Sequence, residues 1–131
     1  MDNCHLGLIS NNPAGMIRFY TESLGFTEGE SRMIPLELVR SLFGLPAECR
    51  MTKLHLGETT LEVFSPQGLE LAPRTDEQSG YNHFGLWVED KRRFCRRLAE
   101  RGVEVIEAPY KDRFVCFVKD PDGNRIEVFE R

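Results

Sequence analysis

Two histidines and two glutamates occur in this sequence within repeated tetrapeptides. His5 begins a His-Leu-Gly-Leu stretch, and His83 begins a similar His-Phe-Gly-Leu stretch in the second half of the chain. Glu62 lies in Leu-Glu-Val-Phe, and Glu127 lies in Ile-Glu-Val-Phe, in the same order relative to the histidines. Imidazole nitrogens and carboxylate oxygens together suit borderline divalent metals. The pattern therefore indicates a candidate metal site, with one histidine and one glutamate from each of two copies.

A cation is needed to hold these four groups together. Two carboxylates brought close to each other repel, and partial burial raises the free energy of each charge. A divalent ion with two neutral imidazoles and two carboxylates has a formal charge of zero. Two nitrogen and two oxygen ligands suit Zn, Ni, Co, Mn or Fe. Four protein ligands in an octahedral shell leave two positions for water or substrate, which is typical of a Lewis-acid site.

The elements that must position these residues also repeat. Hydrophobic periodicity and turn residues predict strand, helix and further strands around each histidine. We predict a first module at about 1–65, a linker rich in proline and glycine at about 66–80, and a second module at about 81–131, in one domain. The first module is longer, and an additional short helix predicted at 35–44 accounts for most of the difference.

The predicted fold class is α+β. Glycine or proline ends most of the predicted elements, and the Asp-Pro-Asp-Gly sequence at 120–123 is a strong turn signal. The other predicted helices occupy 13–24 and 90–101. The predicted strands occupy about 4–10, 26–32, 48–56, 59–64, 81–88, 103–107, 113–119 and 124–130.

Alternation along the strands predicts which face carries the site. Glu62 shares a face with Phe64, whereas Leu61 and Val63 point the other way. Glu127 shares a face with Phe129 in the same manner. Because the apolar neighbours of both glutamates need cover, we expect the two amphipathic helices to pack on their side. The histidines and glutamates are then left on the uncovered face.

Other polar features have simpler interpretations. His55 is a lone histidine on a predicted strand, and we interpret it as a half-exposed polar residue. The basic residues of the helix at 90–101 are interpreted as a solvated face, because the surrounding chain is acidic. Cys4, Cys49, Cys95 and Cys116 are scattered with no close pair, which is poor spacing for a thiolate zinc site, and we predict reduced, mostly buried thiols. Cys4 alone lies next to a candidate ligand.

Composition limits the possible partners. The chain has 131 residues and a formal net charge of -4. A mildly acidic chain lacks the electrostatic footprint of a protein that binds nucleic acid or an anionic membrane. No apolar run approaches the roughly 18 residues required to span a bilayer, and the first residues do not resemble a signal peptide. We therefore expect a cytoplasmic protein with a small-molecule partner.

The repeated module with its ligand set resembles the vicinal oxygen chelate superfamily, which includes glyoxalase I and extradiol dioxygenases. Two segments carry the resemblance, Asp-Pro-Asp-Gly-Asn-Arg-Ile-Glu at 120–127 and Asn-His-Phe-Gly-Leu at 82–86. The resemblance implies two tandem βαβββ modules that form a curled, half-open eight-stranded sheet with the helices on its outer face. It also implies one divalent metal per site and a homodimer.

A carboxylate at Glu62 favours the glyoxalase-like lyases and isomerases, because ring-cleaving dioxygenases of the superfamily do not use that position. Two departures argue against glutathione as a substrate group. Ile9 stands where glyoxalase I has an arginine, and Pro66 stands where it favours asparagine. The expected substrate-lining residues are instead largely apolar: Ile9, Phe64, Trp87 and Phe129, with Met33 and Phe43 from the inserted segment as a lid.

The resemblance implies a reaction in which a substrate with adjacent oxygens chelates the metal. An enediolate forms when a neighbouring carbon loses its proton, and Glu127 is the first candidate base, followed by Glu62. Two alternatives remain open. One is an extradiol-type dioxygenase that uses His5, His83 and Glu127. The other is a binding protein that sequesters a drug or metabolite in an apolar cavity without catalysis.

Overall fold

The computed structural model describes residues 5–131, and within them the predicted order of elements occurs twice. The chain divides into two compact units, Met1–Ala72 and Pro73–Arg131. The first contains β1 (His5–Ile9), α1 (Pro13–Arg18), β2 (Thr27–Ile34), α2 (Leu36–Phe43), β3 (Cys49–Leu56) and β4 (Thr59–Pro66). The second contains β5 (His83–Val88), α3 (Lys91–Glu100), β6 (Val105–Tyr110), β7 (Arg113–Lys119) and β8 (Arg125–Glu130).

Each unit has one four-stranded mixed sheet, and the two sheets have the same topology. The strand order is β1-β4-β3-β2 in the first and β5-β8-β7-β6 in the second. The first and last strands of each module pair in parallel, and the remaining neighbours are antiparallel. The predicted α+β class and the tandem βαβββ modules are therefore confirmed.

One face of the first sheet is covered by α1, which lies against β4. Asn12 precedes this helix, and its Oδ1 accepts a hydrogen bond from the Gly15 N–H at 3.1 Å. The helix predicted as a single element continues from Phe19 to Ser23 as a π-helical segment. Met16 and Tyr20 in these helical segments are buried, and so are Leu61 and Val63, the apolar neighbours of Glu62 on β4.

The inserted helix α2 covers part of the opposite face. Val39 is fully buried in a cluster with Cys49, Met51 and Phe64. Phe64 is directed to this face because it alternates with the buried Val63 along β4. The additional helix of the first module thus packs on the same side of the sheet as Glu62.

In the second unit, α3 covers the face opposite to Glu127. Asp90 begins the helix, and its Oδ1 accepts a hydrogen bond from the Arg93 N–H at 2.8 Å. Leu98 is buried, as are Ile126 and Val128 on the underlying strand. The arginines of α3 are exposed, which confirms the predicted solvated face. Among residues 5–131, no helix has the length and apolar character required to cross a lipid bilayer.

The prediction of reduced thiols is wrong for two of the four cysteines. Cys95 on α3 and Cys116 on β7 form a disulfide across a sequence separation of 21 residues. Sequence spacing did not reveal this pair because the packing of the helix on the sheet brings the sulfurs together. Cys49 is a free, buried thiol, and burial raises its pKa. Cys4 lies outside the described residues.

The turn between β7 and β8 is organised by one buried carboxylate. Asp120 is 5% exposed. Its Oδ1 accepts hydrogen bonds from the N–H groups of Asp122, at 3.0 Å, and Asn124, at 2.9 Å, and its Oδ2 accepts one from the Asn124 side chain at 2.9 Å. Gly123 has a φ of 85°, which favours glycine. This turn sets the start of β8 and therefore the position of Glu127.

We expect Asp120→Ala to lower the free energy of unfolding by about 2–3 kcal/mol, because three partly buried hydrogen-bond donors lose a charged acceptor. Chemical denaturation of the two proteins measures this difference. Asp122→Ala is the matched control, since Asp122 contributes its backbone N–H to the turn, and its effect should stay within about 0.5 kcal/mol. Equal effects of the two substitutions would contradict the assigned role of Asp120.

Candidate metal centre

In the first unit, His5 and Glu62 lie next to each other on the sheet face opposite to α1. The parallel register places Gly7 beside Glu62 and Ile9 beside Phe64. Parallel neighbours in register present their side chains on the same face, so His5 also points to the side of Glu62. The His5 Nε2 and Glu62 Oε2 atoms are 3.6 Å apart. The Glu62 side chain is 18% exposed and that of His5 is 65% exposed.

The second unit repeats this arrangement with His83 and Glu127. Gly85 pairs with Glu127 in the same parallel register. The His83 Nε2 and Glu127 Oε2 atoms are 3.1 Å apart, and the Glu127 side chain is 19% exposed. The structure therefore brings together one histidine and one glutamate in each unit, as the alternation of the strands predicted.

Two residues that sequence reasoning missed hold the His83 ring. The Asn82 Oδ1 lies 2.9 Å from His83 Nδ1 and accepts its hydrogen bond. Phe117 contacts the ring edge-on, with centroids 4.9 Å apart. Because Nδ1 is held by Asn82, Nε2 is the ring nitrogen that faces Glu127 and that would bind a metal. Phe117 lies beside this site because its strand pairs with that of Glu127, which the sequence does not reveal. Asn82 directly precedes His83, so the sequence could have indicated its contact with the ring.

Basic residues near both glutamates are paired with other carboxylates. Lys53 lies opposite Glu62 in the antiparallel register, but its Nζ contacts Glu30 at 2.9 Å. The hydrogen bond and charge of Lys53 lower the pKa of Glu30. Arg125 lies two residues before Glu127, and its guanidinium contacts Asp76 at 2.9 Å. Each site glutamate thus has an imidazole nitrogen as its close contact in the described structure.

Aromatic residues flank each pair. Phe43 packs edge-on against Phe64 with centroids 5.0 Å apart, and Trp87 stacks on Phe129 at 4.9 Å. Trp87 is 59% exposed and Ile9 is 37% exposed, so both present apolar surface to solvent. Each of these residues lies on the same face as the glutamate of its own unit.

Met33 is the one predicted lining residue that lies elsewhere. Its register partner on β3 is Arg50, and Ser31, two residues earlier, hydrogen-bonds to Thr52. These residues lie on the face of Val63, which is opposite to that of Phe64 and Phe43. The β2 bulge between Glu28 and Ser31 shifts the register, so the structure does not place Met33 with the other predicted lining residues.

The donor set fits a divalent metal. Each unit offers an imidazole nitrogen and a carboxylate oxygen, both partly exposed and within 3.6 Å of each other. A family model described as Glyoxalase/Bleomycin resistance protein/Dioxygenase superfamily matches residues 4–128. The chain belongs to this superfamily. Membership agrees with the repeated modules and with the resemblance drawn from the two sequence segments.

Two curated proteins that resemble this chain are named as probable lactoylglutathione lyases. A probable chloroplastic lactoylglutathione lyase from Arabidopsis thaliana is 28% identical over 120 residues, which is 88% of this chain. The match spans only 31% of the length of that plant protein.

Solved structures show the same fold. A glyoxalase family protein from Bacillus cereus has a TM-score of 0.77 at 18% identity, with 98% of this chain and 91% of that chain covered. The trypanothione-dependent glyoxalase I of Leishmania major has a TM-score of 0.69 at 23% identity, with 96% of this chain and 84% of that chain covered.

The Gly–Phe contact in each unit yields a matched prediction. A Cβ added to Gly85 would lie 2.5 Å from Cε2 of Phe129, whereas one added to Gly7 would lie 3.5 Å from Phe64. We expect Gly85→Ala to push Phe129 out of its stack on Trp87 and to lower the free energy of unfolding by about 1–3 kcal/mol. Gly7→Ala is the control.

Thermal unfolding and tryptophan fluorescence measure the effect, because Trp87 is the only tryptophan in the sequence. The Gly85 variant should change both signals, and the Gly7 variant should change neither appreciably. Equal shifts in the two variants would contradict the packing argument.

Proposed function

We propose that His5, Glu62, His83 and Glu127 together hold one divalent metal and that the protein is a glyoxalase-like lyase or isomerase. The observation that carries the proposal is the repeated His–Glu contact, 3.6 Å in the first unit and 3.1 Å in the second. The candidate metals are Zn, Ni, Co, Mn and Fe. The two pairs would meet at one ion either within one chain or between the copies of a homodimer.

Charge balance supports a single ion for both pairs. One histidine and one carboxylate make a weak site for a divalent cation, whereas two of each neutralise its charge. A bound ion would supply Lewis-acid stabilisation of negative charge on two adjacent substrate oxygens. The protein's own residues must then bind the substrate, exclude water and move the proton.

We assign the proton transfer to Glu127. Its carboxylate is partly exposed and can reach a substrate, and its neighbour His83 is oriented by Asn82 and Phe117. A carboxylate at this place removes a proton from a carbon next to a carbonyl and returns it to the neighbouring carbon. Glu62 occupies the same place in the first module and is the second candidate for this role.

The substrate we propose is small, partly hydrophobic and carries oxygens on adjacent carbons. Trp87 and Ile9 offer exposed apolar surface on the glutamate faces of their units, which suits an apolar substituent. Ile9 and Pro66 replace the arginine and asparagine that the resemblance associates with glutathione. A hydroxy-ketone or a hemithioacetal without a glutathione carboxylate would meet these conditions. A 2-acyl thioester, whose two carbonyl oxygens are separated by one further carbon, could chelate the ion in a larger ring and is the remaining candidate.

Metal analysis tests the ligand set. Disulfide-bonded protein purified without chelators should contain one ion for each four-residue site, and His83→Ala should weaken the metal affinity at least about a hundredfold. His55→Ala is the matched control, because His55 is an exposed histidine that contacts Thr60. Elemental analysis and a competition titration measure the effect. Full metal content in His83→Ala, or equal loss in both variants, would contradict the proposal.

Kinetic analysis tests the role of Glu127. On a substrate found by screening hydroxy-ketones, hemithioacetals and thioesters, Glu127→Gln should lower kcat by about 10²–10⁴-fold, since an amide cannot accept the proton. Much of the metal should stay bound, because the amide oxygen remains a ligand. Glu58→Gln, in the exposed hairpin turn, is the control. Wild-type turnover by Glu127→Gln would overturn the assignment.

The same preparations separate the other members of the superfamily. Oxygen uptake with a catechol and Fe(II), unaffected by Glu62→Gln, would identify a dioxygenase. Ligand binding that is indifferent to chelators, in protein that contains no stoichiometric metal, would identify a binding protein. Either result would replace the lyase or isomerase proposal.

A further inference from the structure

A second group of metal-ligating side chains lies on the other face of the second sheet. The sulfurs of Cys95 and Cys116 and a carboxylate oxygen of Glu107 all lie within 4.8 Å of one another. Glu107 pairs with Cys116 in the β6–β7 register. Cys95 projects onto this side from α3. Three consecutive elements, α3, β6 and β7, therefore converge at one point.

A groove connects this cluster to solvent. It has a volume of about 410 Å³ and is lined by Arg92, Cys95, Arg96, Ala99, Val105 and Glu107. Cys95 and Glu107 are part of its wall, whereas Cys116 is fully buried. An ion that enters the groove would meet Cys95 and Glu107 in its wall. Cys116, which is buried behind them, would be the third ligand.

We propose that Cys95, Cys116 and Glu107 form a second, redox-dependent site for a thiophilic divalent cation of the Zn²⁺ class. In the reduced protein, two thiolates and one carboxylate supply three ligands of a tetrahedral shell. A water molecule from the groove completes the shell. Cysteine sulfur and carboxylate oxygen are both zinc ligands in proteins, and open zinc sites have three protein ligands and a water.

The charges around the cluster support this assignment. Two thiolates and one carboxylate around a divalent cation leave one net negative charge. Arg92 and Arg96 line the groove and offset it, with the Arg92 guanidinium held over the Phe114 ring at 4.5 Å. Thiolates at these two buried positions would be unfavourable without a cation, so ion binding and deprotonation are linked.

Reduction of the disulfide needs one co-reactant, a dithiol. The structure contains the Cys95–Cys116 disulfide, and a dithiol reductant supplies the two electrons and two protons that convert it to two thiols, itself becoming a disulfide. Each thiol then loses its proton as the cation binds. Exchange with a disulfide oxidant would reverse both steps: the two thiolates give up two electrons to form their S–S bond, the oxidant takes up these electrons and two protons to become a dithiol, and the ion is released. In either state α3 stays linked to the sheet, by a covalent bond or through the metal.

This site is independent of the proposed function. Cys116 is on the face of β7 that packs under α3, whereas Phe117, the next residue, contacts His83 on the other face. The two sites share no residue. Failure of one proposal therefore leaves the other to its own test.

The experiment uses Co²⁺ as the probe, because thiolate coordination to Co²⁺ produces a charge-transfer absorption that histidine and carboxylate ligands do not. The full chain carries Cys4→Ser and Cys49→Ala, so that Cys95 and Cys116 are its only cysteines. It is reduced with a phosphine under anaerobic conditions and titrated with Co²⁺. We expect one equivalent to bind with the charge-transfer band and Zn²⁺ to abolish the band.

Three comparisons decide the outcome. Oxidation to the disulfide should remove the band, Cys116→Ala should remove it, and Glu107→Gln should weaken Co²⁺ binding about tenfold or more. His83→Ala should leave the band unchanged, which separates this site from the proposed catalytic centre. The wild-type chain, reduced and oxidised, provides the same comparison if the substituted chain does not fold.

A reduced protein that develops no charge-transfer band at any Co²⁺ concentration would overturn the proposal, whether or not Co²⁺ binds at the histidine and glutamate residues. So would a band that persists after oxidation or in Cys116→Ala, or full affinity in Glu107→Gln. A purely structural disulfide predicts the first of these results.

Discussion

The parallel pairing of the first and last strands in each module is the constraint on which the candidate centre depends. It sets Gly7 beside Glu62 and Gly85 beside Glu127. Because parallel neighbours in register share a face, each histidine, two residues before its glycine, projects to the side of its glutamate. A slip of one residue would turn every side chain of that strand to the opposite face. The buried apolar residues on the helix side resist such a slip.

The glycines and phenylalanines complete this arrangement. Gly85 leaves room for the ring of Phe129, which then stacks on Trp87. The first unit uses Gly7 and Phe64 in the same positions with a looser fit. There α2 adds Phe43 to the aromatic contact. The duplicated module thus keeps one set of positions, and the insertion of α2 makes the surroundings of the two His–Glu pairs different.

The two faces of the second sheet carry different chemistry. His83, Phe117 and Glu127 lie on one face, and the sulfurs of Cys95 and Cys116 lie under α3 on the other. A β-strand makes this separation possible because successive side chains point in opposite directions. The proposed function uses the first face, and the second face carries groups that the repeated His and Glu pattern does not include.

Local pattern in the sequence was enough to determine the two modules, the order of their elements and the side on which Glu62 and Glu127 lie. Turn residues, capping residues and strand alternation are properties of short segments, so they can be interpreted without tertiary contacts. Packing decided the rest. Cys95 meets Cys116 only when α3 lies on the sheet. The β2 bulge places Met33 away from Phe64, and strand register brings Phe117 to His83. Such contacts join residues far apart in the chain, and their distances follow from how the elements pack and not from how the residues are spaced.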